Sequence, residues 1–141
     1  MEIFINMANE SFIKSFKNLE VYNNTYKLML IVMKEIIPKL PNSEKYDLKD
    51  QLSRACKSIP RLIAEGYAKR HQKAGFQKYL DDAMAECNEM IVSLEQAKDL
   101  YNTTPETIEM DDVIDLYDKS GRQLYKLSIA WTSFKKDNRR K

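Results

Sequence analysis

From Phe76 to Tyr101 the apolar residues fall in an unbroken alternation of four- and three-residue steps: Phe76, Leu80, Ala83, Cys87, Met90, Leu94, Ala97, Tyr101. An α-helix puts such a series on one face and a strand does not, so the rhythm predicts a long straight helix over 73–101. A second line, Tyr79, Met84 and Ile91, widens the apolar face beyond a single seam. The helix should therefore touch two neighbours.

Three other segments supply neighbours. Leu19, Tyr22, Tyr26, Met29, Met33 and Ile36 recur at steps of three and four until Pro38 and Pro41 stop the run, which predicts a helix over 16–37. Ser43 with Tyr46 is half a capping box, and Glu44 and Asp47 place acid in a first turn, where the helix dipole favours it. A helix over 44–68 follows, with Leu48, Leu52, Ala55, Ile59 and Leu62 or Ile63 on its inner face. Beyond the polar break "NTTPETIE", Val113, Tyr117, Leu124, Leu127, Trp131 and Phe134 predict a helix over 110–136, with Ser120 in the one missing place. Gly121 inside it costs about 1 kcal/mol relative to alanine, acceptable where a neighbouring backbone comes close.

Only three glycines and four prolines among 141 residues, with 43% apolar content, leave few turn residues for strands and enough apolar side chains for one core. The expected fold is all-α. It is a single domain over 1–141, an antiparallel up-down-up-down four-helix bundle with short connections. The first dozen residues read as a flexible arm or an extension of the first helix, and "KKDNRRK" as a basic tail. The start of the chain lacks the pattern of a secretory leader. Its longest apolar run, "LMLIVM", is far shorter than the roughly 20 residues of a membrane span, so the cytoplasm and no membrane partner are the expectation.

The second segment contains "SIPRLIAEGYAKR", Ser58 to Arg70. Pro60 has no N–H for the Cys56 carbonyl and crowds the preceding turn, which predicts a kinked second helix. Ser58 can offer a hydroxyl nearby, and Gly66 either admits a close neighbour or ends the helix before an exposed turn, "YAKRHQK". Glu65, four residues from Arg61 and from Lys69, reads as their ion-pair partner.

A net charge of +2 conceals segregation. Residues 54–78 carry seven Lys and Arg against one Glu, residues 79–118 twelve Asp and Glu against one Lys, and residues 119–141 eight Lys and Arg against one Asp. Arg54, Lys57, Arg61, Lys69, Arg70 and Lys73 form a candidate phosphate-binding patch, and Lys135, Lys136, Arg139, Arg140 and Lys141 can join it. Solvated helix faces that pair along and between helices account for the same charges. Acidic and basic faces meeting across copies would close a ring.

Chemistry of other kinds finds no support. His71 is the single histidine and lies in polar "KRHQK", Cys56 and Cys87 sit at core positions, and the spacings of a metal site are absent. Phosphate-cradling glycine loops and nucleophile elbows are absent too. No cofactor, metal or catalytic residue is expected, and the chain does not read as an enzyme.

"YDLKDQLSRACKSIPRLIAEGYAKR" resembles the signature of the small four-helix bundle proteins encoded in intervening sequences of bacterial 23S ribosomal RNA genes. Leu48, Gln51, Arg54, Ala55, Ser58, Ile59, Pro60, Ile63, Ala64, Glu65 and Gly66 match it. The likeness extends into the first and third helices, with Leu62 where the family usually has Asn, and Ala85-Glu86 where it has Gly-Ser. The resemblance implies a left-handed bundle that assembles as a homopentamer without enzymatic activity. It also implies a relationship to accessory proteins of diversity-generating retroelements, which bind nucleic acid and a reverse transcriptase. On this basis the expected function is RNA or DNA binding, and the alternative is a protein-interaction scaffold for a reverse transcriptase.

Overall fold

The computed structural model describes residues 13–101 and 109–140, with side chains as far as Thr132. The arm over 1–12, Lys141 and the tail's other side chains, with that of Phe134, lie outside the described residues. Within them the chain is all-α, four helices packed against one another without strands. They are α1 (Glu20–Ile31), α2 (Leu48–Ala68), α3 (Gly75–Tyr101) and α4 (Met110–Arg140). Among these residues no helix is long and apolar enough to cross a membrane.

The heptad line of α3 is buried along its length, from Phe76 to Ala97, and α3 packs most extensively on α2 and α4. Opposite ends of α2 and α3 adjoin. Tyr101 Oη donates to the Glu44 carboxylate just ahead of α2, while Gly66 near the end of α2 lies against Phe76 and Tyr79 in the first turns of α3. Ser120 fills the gap in the α4 pattern, buried, its Oγ donating 2.8 Å to the Leu116 carbonyl.

The start of the first segment differs from the expected 16–37. Ser15 caps a separate 3-10 turn, Phe16–Asn18, and Leu19 is extended, so α1 begins at Glu20. Its inner line is Val21, Thr25, Leu28, Val32 and Ile36. The tyrosine line read from the periodicity lies to one side: Tyr22 is half-buried and Tyr26 is 44% exposed. Thr25 hides the true line in the sequence because it is polar, yet its Oγ1 donates to the Val21 carbonyl at 2.8 Å and so can be buried. Ahead of Pro38 the helix widens into a π turn, Val32–Ile36, where Ile37 N–H reaches the Val32 carbonyl, and a 3-10 turn, Ile37–Lys39, follows. A proline that cannot donate and crowds the preceding turn accounts for this.

Likewise α2 begins at Leu48 rather than at residue 44, because Asn42–Glu44 forms its own 3-10 turn after Pro41. Glu44 Oε1 accepts from Leu48 N–H at 3.4 Å, so this carboxylate serves both the first turn of α2 and Tyr101. Ile63 rather than Leu62 is fully buried. The helix runs through Pro60 and through Gly66 to Ala68. Tyr67, expected in an exposed turn, is a buried helical residue.

Candidate nucleic-acid interface

Arg54, Lys57 and Arg61, at steps of three and four, share one face of α2, about 10 Å long at 1.5 Å per residue. The opposite face, with Leu52, Cys56, Ile59 and Ile63, is buried and fixes the orientation of this stripe. Arg54 Nε lies 3.1 Å from Asp50 Oδ2. Both groups are well exposed, and such a pair contributes about 1 kcal/mol at most, so the guanidinium remains exchangeable. Among the described residues no carboxylate comes within ion-pair distance of Lys57 or Arg61.

The other three bases follow α2. Lys69, Arg70 and Lys73 lie in the tight turn to α3, held by hydrogen bonds from Gln72 N–H to Lys69 O (3.0 Å) and from Gly75 N–H to Gln72 O (3.1 Å). Arg70 lies over the Tyr67 ring, 4.0 Å from its centroid, and Nη1 donates 2.8 Å to the Tyr67 carbonyl. Lys69 Nζ donates 2.7 Å to Tyr79 Oη, and this hydroxyl, more than the charge of Glu65, holds the ammonium above its ordinary pKa. Glu65 is exposed and forms no ion pair among the described residues with Arg61 or Lys69, contrary to its expected role. Lys73 and His71 are exposed.

An aromatic run anchors this end of the molecule. Tyr67 meets Phe76 edge-on at 6.0 Å, and Phe76 meets Trp131 edge-on at 5.3 Å. Helix α4 continues from Trp131 to Arg140.

The signature residues divide between core and surface. Ile59, Pro60 and Gly66 are buried, Ala64 is half-buried, and Ser58 Oγ donates 3.0 Å to the Ala55 carbonyl. A methyl group on Gly66 would stand 2.7 Å from Tyr79 Cβ. This glycine is therefore a point of close approach inside the helix and not its end.

Residues 17–126 match the family described as 23S rRNA-intervening sequence protein. The chain belongs to that family. Comparison with curated proteins returned no match. In this member of the 23S rRNA-intervening sequence family, the signature does more than close the core. Pro60 and Ala64 are short side chains on α2 facing Phe16, Tyr22, Tyr26 and Met29, and the space between them is a cleft of about 290 Å³ rimmed by Lys57 and Arg61.

Sequence reading assigned the tyrosines to the core and so missed this cleft. The clue was present in the steps of four that join Pro60 to Ala64 and Tyr22 to Tyr26, but only packing reveals that the two pairs face each other. Among the described residues no cluster of His, Cys, Asp and Glu could hold a metal ion.

Proposed function

We propose that this chain is a non-catalytic, homo-oligomeric nucleic-acid-binding protein of the bacterial cytoplasm. Its bundle is antiparallel, up-down-up-down, with the second helix bent at Pro60, and it holds phosphates through its basic end. Residues from opposite ends of α2 and α3 meet, as Glu44 does Tyr101 and Gly66 does Tyr79, which supports the antiparallel course.

The carrying observation is that half-buried Lys57 and exposed Arg61, free of carboxylate partners among the described residues, share a stripe with exposed Arg54, and Lys69, Arg70 and Lys73 follow at the end of the same helix. Such contacts position a nucleic acid without reading its bases. In a ring of five copies the patch would recur around an axis, and effective concentration would multiply a weak individual contact. A chain of net charge +2 then binds usefully.

A second reading has its own observation. Helices α3 and α4 expose Val92, Leu100 and Leu116 among many carboxylates, a mixed surface suited to a protein partner such as a reverse transcriptase.

Fluorescence anisotropy against a structured RNA and a DNA duplex of equal length, at about 50 and about 200 mM salt, separates the two. Binding that weakens steeply with salt, and whose salt slope falls when Arg54, Lys57, Arg61 and Lys73 become Gln, is the expected result. No binding at the lower salt eliminates the first reading and leaves the second.

A further inference from the structure

We propose that the cleft between α1 and α2 holds one unpaired nucleobase of a bound strand, stacked on Tyr26, with Lys57 and Arg61 on the adjoining phosphate. This rests on the nucleic-acid reading above and deepens it: the ligand is a loop, bulge or single strand and not a continuous duplex.

The walls argue for a flat ligand. Phe16 meets Tyr22 edge-on with centroids 4.8 Å apart, which holds the inner ring, and Tyr26 follows at 6.0 Å, tilted by 38°. Tyr26 is 44% exposed and contributes little to the core. Opposite, Pro60 and Ala64 present short apolar surfaces, and Met29 supplies an unbranched wall that adapts to shape. At about 290 Å³ the cleft lies at the lower limit of small-molecule pockets, room for one ring system and not for a paired helix. Bases take such sites when unstacked from their neighbours.

The rim determines the charge of what enters. Lys57 and Arg61 line the cleft, and its lining contains no carboxylate. A cationic ligand, which aromatic walls alone would accept, is therefore repelled. An aromatic ring joined to an anion, the make-up of a nucleotide, suits both features. Lys57 and Arg61 bracket Pro60 in the sequence, so one short piece of α2 provides both the apolar wall and the cations.

The test uses the full chain and two ligands with equal numbers of phosphates, an RNA hairpin carrying 2-aminopurine in its unpaired loop and a fully paired duplex. Tyr26→Ala, whose fold is checked by circular dichroism and thermal unfolding, should weaken hairpin binding about tenfold. It should leave duplex binding and the salt slope unchanged. Tyr26→Phe, which keeps the ring, should restore hairpin binding, and 2-aminopurine fluorescence should be quenched by the wild type and by Tyr26→Phe but not by Tyr26→Ala.

Equal losses for hairpin and duplex, or no quenching despite tight binding, overturn the stacking site and leave the phosphate reading intact. Failure of both nucleic acids to bind overturns both. A 5′-mononucleotide that displaces the hairpin at equal concentration overturns the strand in favour of a free nucleotide. A phosphotyrosine peptide that binds with the same Tyr26 dependence while the hairpin does not bind assigns the cleft to a protein partner instead.

Discussion

Gly66 of α2 and Tyr79 of α3 approach so closely that a methyl group on the glycine would stand 2.7 Å from the tyrosine Cβ, with Phe76 Cδ1 at 3.1 Å. The tyrosine Cβ is fixed to the backbone of α3 and the Phe76 ring is fully buried, so relief requires the helices to part. Gly66→Ala should cost about 1–3 kcal/mol. Gly121 lacks such a neighbour: a methyl there meets Cys87 Cβ at an ordinary 3.8 Å. Gly121→Ala should therefore add about 0.5–1 kcal/mol through helix propensity and a less disordered unfolded chain. Urea unfolding midpoints of the two variants should move in opposite directions.

Ala74 has a left-handed backbone, φ 57°, in the turn between α2 and α3. An L side chain pays for that conformation and glycine does not. Ala74→Gly should stabilise the protein by up to about 1 kcal/mol, read from thermal unfolding. Gly75 beside it has the opposite constraint, since a side chain there would run into the Lys69 carbonyl oxygen. Gly75→Ala should lower stability and disturb the turn that carries Lys69, Arg70 and Lys73.

Burial, then the charge and hydrogen bond of Glu89, raise the pKa of Glu86, against the smaller opposing effects of Ser58 and Arg54. A folded value above the ordinary 4.5 means that the penalty is absent below that value, where both states are protonated, and develops as pH rises through the folded pKa. Glu86→Gln should thus unfold at a higher temperature than the parent at about pH 7, with the difference closing towards about pH 3.5. A constant difference across that range would rule out the carboxylate as its source.

The Tyr117 hydroxyl is buried without a hydrogen-bond partner among the described residues, and burial, then Cys56 and Cys87, hold its pKa well above the ordinary phenol range. Tyr117→Phe keeps the ring and removes the stranded group, so it should raise stability by roughly 1 kcal/mol. The two thiols are pushed up by burial, Cys56 to about 11 and Cys87 to about 12. Their alkylation near neutral pH should be about a thousandfold or more slower than in denaturant, and should follow global opening.

Helical content, the inner line of α3 and the buried cysteines were legible because each depends on one periodic pattern along one segment. The seam from Phe76 to Ala97 needs no partner to be recognised. Ser120 could be placed from the gap that it fills. The flank of α1 was not legible. Leu19, Tyr22, Tyr26 and Met29 repeat as well as Val21, Thr25, Leu28 and Val32 do, and a hydroxyl at 25 argues against the second line until its bond to the Val21 carbonyl is seen.

The sequence by itself determined that the chain would be helical, which residues could share a helix face, and that its bases and acids would be segregated. These are properties of spacing along a single element, where geometry is set by the helical period alone. The tertiary structure decided that Tyr22 and Tyr26 look across a cleft at Pro60 and Ala64, and that Lys69 turns to Tyr79 instead of pairing with Glu65. Those are relations between elements, and they follow from which faces the core has room to bury.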